Sequence, residues 1–428
     1  MLRALLDRFS SRKPGPDAVV WQAPRVLDQG PVGRPQIAID DTGNVLAAWH
    51  HRGGKAEAIY TCRHRGGRGW DMVPRRLDSA LTTALDPVVA MNGQGEIVVI
   101  WQEQQDGTTR ICARTVITSE ETWAPYPVVI ATLPGEVTGL QADMDGQGNI
   151  LAVWCYRDEE GHRVMATGCR AGGAWEAQPV VLGSPSPARI HPQLAVSRRG
   201  QALVVWCEAY GAEGRVNASH FDPDVRCWSD RPNKIADGNS LYTRMDMDIS
   251  GNAIVLMVNK RPGGQVLNAC HLDGATVEWR STEPLATGEV IQWPQVGLDG
   301  RGGAMAVWRQ GGSGVMKLFA RRFHQGRWEE RPEPLVGDLG QSRFHTLAVS
   351  SEGEAAVIWT QTLAGQTAVY LRRYAQGAWS PAPTQLGNPG PREIQDPQVA
   401  IAANGDVAVI WRQGDAARGA IVTAVGQA

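Results

Sequence analysis

A glycine recurs along this chain as Gly43, Gly95, Gly148, Gly200, Gly251, Gly302, Gly353 and Gly405, so successive copies stand 51 to 53 residues apart. Six residues after each comes Trp49, Trp101, Trp154, Trp206, Met257, Trp308, Trp359 or Trp411. A second series runs Trp21, Trp70, Trp123, Trp175, Trp228, Trp279, Trp328 and Trp379, and the two series together hold 15 of the 16 tryptophans. A period of about 50 residues means one supersecondary unit built repeatedly, each copy covering the apolar face of the next.

Each unit reads as four strands. In the first copy these are Pro35 to Asp40, Asn44 to Trp49, a third around Ile59 to His64, and a fourth from Trp70 to Leu77. Three residues before each glycine stands Asp40, Asn92, Asp145, Ser197, Asp248, Asp299, Ser350 or Ala402. Asp, Asn and Ser side chains accept backbone N–H groups inside a turn, and Gly supplies the positive φ that closes it. The second strand is apolar on both faces, so it lies between two layers. The fourth carries Pro74, Pro127, Pro179, Pro232, Pro332 and Pro383, which belong on an edge strand.

Four-stranded units buried on both faces and stacked around an axis make an all-β propeller, here with eight blades. The last unit stops after its third strand, and residues 18–28, with Trp21, supply the fourth. The chain therefore divides into residues 1–16 and an eight-bladed propeller over 17–428. In the first part Leu2, Leu5, Leu6 and Phe9 fall at helical spacing among basic residues. They predict a short amphipathic docking helix, followed by the stiff linker Pro14, Gly15 and Pro16. Such a helix would dock on the propeller rim, on a partner or on a membrane surface.

The net charge of −2 argues against nucleic acid as a partner. No apolar run approaches the length of a membrane span, no secretory signal is evident, and the seven cysteines form no CxxC. These features predict reduced thiols and a cytoplasmic location. No phosphate loop, nucleophile elbow, zinc signature or dinucleotide fingerprint occurs, so no cofactor is expected. Asp143, Asp145 and Asn149 form only a fragment of a calcium loop, and Asp145 already has a turn to cap. His220 and His271 share a repeat position with Arg322 and Arg373, which reads as a basic surface position.

The repeat resembles a bacterial propeller family with units of the form PQVAxDxxGNAxAVWxQ and GxWxxPxxL, over residues 18–428. More distantly it is similar to the Asp-box hairpin of sialidase-type propellers, although Asp40 and Gly43 are spaced more widely than that motif allows. The resemblance implies the fold. A sialidase-type site would imply an arginine triad with a Tyr–Glu pair, and no set of residues here matches it.

Residues recruited for recognition break a repeat. The tryptophan outside both series, Trp293, stands at the entry to an innermost strand, in the row Arg34, Asp86, Gly139, His191, Tyr242, Trp293, Phe344 and Asp396. Four consecutive blades thus place His, Tyr, Trp and Phe side by side. Period-two geometry puts Arg244, Gln295, Asp143 and Asp246 on the same face, bordering the central channel. Blade 5 departs most, with Met257 for Trp, Arg244 and Asp246, a pair spaced for mutual contact. Aromatic area ringed by Gln, Arg and Asp predicts a non-enzymatic module recognising a protein or peptide at the channel mouth. The alternative is a carbohydrate-binding lectin. A glycan-active hydrolase or lyase with Asp143 and Asp246 as its acid–base pair ranks below both.

Overall fold

The computed structural model describes residues 19–428 apart from 54–55, 80–81, 118–121, 211–212, 239, 313–314, 337–340, 391–392 and 416. The docking helix expected from Leu2, Leu5, Leu6 and Phe9 lies outside the described residues.

The described residues form eight antiparallel sheets. Blade 1 runs outward through Val32–Ile39, Val45–Gly53 and Ala56–Arg65, and its outer edge is broken into Gly69–Trp70 and Arg75–Arg76. Both edge pieces pair with the third strand. Pro74 stands in the break, where a missing N–H costs no ladder bond. The innermost strands touch one another in succession from blade 1 to blade 8 and back to blade 1, so the sheets close into a propeller around a central channel. Blade 8 is completed by the N-terminus: Val20 and Trp21 pair with Gln427 and Gly426, and Arg25 to Gly30 with Thr423 to Gly419. Joining both chain ends in one sheet covers the outer edge of blade 8's C-terminal strand Gly419–Gln427.

The repeat positions have the expected structural tasks. Asp40 Oδ1 accepts the backbone N–H groups of Thr42 and Asn44, each at 2.9 Å, while Gly43 sits at φ +86°. Asp145, Asp248 and Asp299 cap their turns in the same way.

Between each pair of blades lies one apolar core. The Leu or Ile of an outer strand packs with the second-strand Trp of the following blade: Leu27 with Trp49, Leu77 with Trp101, Ile130 with Trp154, Leu182 with Trp206, Leu285 with Trp308, Leu335 with Trp359, and Leu386 with Trp411. All of these side chains are buried. A large aromatic at the seam removes more apolar area from water than any other residue type could, which is why the period is written in tryptophan.

Three expectations need correction. Apart from His191, which precedes its strand Gln193–Val196, the row from Arg34 to Asp396 lies inside the innermost strands, at their third or fourth residue rather than at their entry. Blade 6's inner strand, for example, spans Val290–Leu298. The ladder slips between Gly33 and Gln36, Leu85 and Val88, Gln292 and Gln295, and Gln395 and Gln398, and at the matching places in blades 3, 5 and 7. Pro35, Pro87, Pro294 and Pro397 cannot donate to a ladder, so the strand bulges there. Second, the position of His220 and His271 is not a surface one: His271 is buried, with the Trp328 indole N–H 3.3 Å from its Nε2 and Glu283 at 3.0 Å. Third, Arg244 and Asp246 form no ion pair: Arg244 donates to the Thr243 carbonyl at 2.8 Å, and Asp246 bonds to the next blade.

Among the described residues no helix is long and apolar enough to cross a membrane. All seven cysteines are free thiols, five of them buried.

Candidate binding site at the channel mouth

The bulge determines how this row is displayed. Asp86, Gly139, Trp293, Phe344 and Asp396 all take the left-handed conformation, with φ of 49°, 63°, 54°, 40° and 51°. For bulky aromatic residues this backbone is strained, and such strain collects where a side chain must be held in a set direction. Trp293 and Phe344 are accordingly 49% and 43% exposed. The Tyr242 and Trp293 rings, from blades 5 and 6, lie 5.3 Å apart at an interplanar angle of 44°.

Cations surround these rings. Arg309 lies within electrostatic reach of both Arg343 and Tyr242, and Arg244 of Tyr242 and His191. Burial lowers the pKa values of Arg244, Arg309 and His191 from their usual values, and neighbouring arginines lower the last two further. Among the described residues none of Arg244, Arg309 and Arg343 forms an ion pair with a carboxylate. His345, next to Phe344, is buried and pushed down to about 3, first by burial and then by Arg309. The Trp293 backbone is near it, but neither ring nitrogen reaches hydrogen-bond geometry. Arg244 and Arg309 are half-buried and Arg343 is exposed, an arrangement with the capacity to take negative charge.

The rest of the row forms a second group on the opposite side of the ring. Arg34, His50, Glu57, Asp396 and Arg412 line a cavity of about 400 Å³. Asp86 is in electrostatic reach of His50, and Asp396 lies 3.5 Å from Arg412. Here the charges are already paired with each other.

Gln295, Asp143 and Asp246 act between blades. Gln295 Oε1 accepts the Leu347 N–H at 2.7 Å while its Nε2 donates to the His345 carbonyl at 3.1 Å. Asp143 accepts from Val196 at 2.8 Å, and Asp246 from Leu298 at 2.7 Å. Both residues are half-buried, and desolvation pushes Asp143 up to about 6 and Asp246 up to about 7.

Arg343 and His345 escaped the sequence reading. Strict alternation assigns the neighbours of Phe344 to the opposite face, and the bulge cancels that alternation. The interruption of the strand pattern beside a proline was the signal available.

No protein-family model and no curated protein sequence matches this chain. Among solved structures it is similar to a polysaccharide lyase of family PL25, an ulvan lyase bound to -[GlcA(1-4)Rha3S]-, at 10% identity and TM-score 0.52 over 94% of this chain and 95% of that one. A second structure of a PL25 ulvan lyase gives 11% identity and TM-score 0.50, over 95% of each chain. A prolyl endopeptidase gives 12% identity and TM-score 0.50 over 91% of this chain and 54% of that one. At these identities the likeness shows the fold alone.

Proposed function

We propose that this propeller is a non-enzymatic recognition module whose channel mouth, at blades 5 to 7, binds an acidic protein or peptide. One observation carries the reading: two large aromatic side chains, Trp293 and Phe344, are held outward on left-handed backbone beside three arginines without carboxylate partners. Projecting Trp, Tyr and Arg residues are the usual anchors of protein interfaces, and rigid aromatics enter a partner's pocket at low entropic cost. Arg244, Arg309 and Arg343 would meet carboxylates of the partner, which gives steering and specificity.

A second reading has the same chemistry behind it. An acidic carbohydrate would place a sugar ring on Trp293 and its carboxylate or sulfate on the arginines. The likeness of fold to the ulvan lyase makes this reasonable and adds nothing about the residues.

The test is selection from a peptide display library, followed by titration of the best binder, with a glycan array run in parallel. The expected result is enrichment of peptides rich in Asp and Glu, with affinity falling as salt rises. Arg309→Ala and Trp293→Ala should each weaken binding about tenfold or more. No acidic peptide but retention on uronate or sulfated glycans would transfer the site to the second reading. Binding indifferent to both substitutions would remove the channel mouth from either.

A further inference from the structure

In seven of the eight seams between blades the second strand contributes a tryptophan, and in the eighth, where only Trp279 packs, it does not. At the seam of blades 4 and 5 the second-strand residue is Met257, opposite Ile235 and Ala236 of blade 4's outer strand. A cleft of about 1180 Å³ runs along this seam. Its inner walls are Met257, Ile235, Ala236 and Val266, with the amides of Asn259 and Asn268 bonded to each other at 3.1 Å. Ile235 supplies an independent sign that something is missing. Its seven counterparts, from Leu27 to Leu386, are all buried, whereas Ile235 is partly exposed.

The neighbouring seams show what such a space accepts. In four blades the indole N–H is bound by the side chain two residues further on: Trp101 to Glu103 at 3.1 Å, Trp206 to Glu208 at 2.9 Å, Trp308 to Gln310 at 2.9 Å, and Trp359 to Gln361 at 3.2 Å. In blade 5 the residue two further on is Asn259, again a polar side chain at the edge of the ring space. The lip of the cleft carries exposed Lys260 and Arg261, and the carboxylate that also lines it, Asp237, is bonded to Lys234 at 2.9 Å. A small cleft with an apolar floor, a polar wall and a cationic rim has the character of a ligand site, and its volume is of the order of the ~300–1,000 Å³ typical of one.

We infer that the cleft at Met257 is a binding site for a small anionic indole, whose ring replaces the absent tryptophan and whose carboxylate meets Lys260 and Arg261. The site is separate from the channel mouth and does not depend on what binds there. The ring would cover Ile235 and Ala236, so ligand binding would complete the eighth seam and stabilise the folded ring by mass action.

The full chain is titrated calorimetrically with indole-3-acetate, with N-acetyltryptophanamide as the neutral ring and acetate as the bare anion. The expected result is saturable binding of indole-3-acetate, weaker binding of the neutral ring, and none of acetate. Met257→Trp, which fills the cleft with the side chain its sister blades carry, should weaken binding at least tenfold while keeping or raising the melting temperature. Trp293→Ala should leave it unchanged. If Met257→Trp does not fold, Ala236→Leu blocks the cleft from the opposite wall and decides the same question. Absence of saturable binding to the natural chain, or equal binding to a folded cleft-filled variant, overturns the inference.

Discussion

Asp246 of blade 5 takes the backbone N–H of Leu298 in blade 6 onto its Oδ2 at 2.7 Å. Asp143 does the same for Val196 between blades 3 and 4, at 2.8 Å. The inner strands of neighbouring blades are not paired as one sheet, so these side chains tie them across the gap. Gln141 and Gln295 add the same kind of tie through Leu194 and Leu347, each at 2.7 Å. A carboxylate does this work at a cost that an amide does not have, since enclosure disfavours its charge.

That cost gives a pH dependence. The folded chain holds a proton on Asp246 up to about pH 7, whereas an unfolded aspartate releases it near 3.8. Between those values the folded state binds more protons, so stability falls as pH rises through the window. His345 works in the opposite sense: unfolded, it gains a proton below about 6.5, while folded it resists one down to about 3. Its contribution is therefore present above 6.5 and lost as pH falls. The two oppose each other at low pH, and above pH 6.5 the Asp246 effect stands largely alone. Melting temperature should decline as pH rises from 6.5 through about 7 and level off above it, and Asp246→Asn, which keeps an acceptor for Leu298, should remove most of that decline. An undiminished decline in the variant would show that another group is responsible.

At position 293 the usual order of small residues should be inverted. In an ordinary strand Gly is less stable than Ala by about 0.5–1 kcal/mol. Trp293 has φ 54°, a conformation that costs an L-residue roughly 1–2 kcal/mol and glycine almost nothing. Gly139 occupies the equivalent place in blade 3 at φ 63°. Trp293→Gly should therefore be more stable than Trp293→Ala by about 1 kcal/mol in urea unfolding, with both showing the weakened binding proposed for loss of the indole. If Ala is the more stable, the backbone at 293 is not held left-handed.

The seam tryptophans should dominate stability. Trp359 is fully buried against Leu335. Its replacement by alanine should cost about 3–5 kcal/mol, measured by chemical denaturation. A loss below about 1 kcal/mol would mean that the seam collapses around the gap and that the indole is not what holds it.

The architecture was legible because it is periodic. A Gly–Trp spacing repeated seven times, with Met257 in the eighth copy and Trp21 supplying the missing outer edge, leaves little choice of fold. The site was legible only where it broke the period, at Trp293 and Met257. Arg343 and His345 were not, because a bulge adds one residue and reverses the side to which the following chain points. The tie made by Gln295 was hidden for another reason. Nothing in its own strand says that the partner is the backbone of the next blade, 52 positions away at Leu347.

Arg309 tests whether the proposed channel-mouth site holds a charge at the expense of stability. Its Nε is buried without a hydrogen-bond partner, and Arg343 lies within electrostatic reach. Replacing a poorly compensated buried charge with an apolar side chain of similar length commonly stabilises a protein. Arg309→Met should therefore raise stability by about 1 kcal/mol while abolishing salt-sensitive binding at the channel mouth. Because Arg309 is the charge that depresses His345 after burial itself, the same substitution should move the imidazole pKa upward. An NMR titration of the His345 ring in the two proteins reads this directly. A gain in stability with an unmoved His345 would mean that Arg309 points away from the cluster, and a loss of stability would mean that its charge is compensated in the free protein.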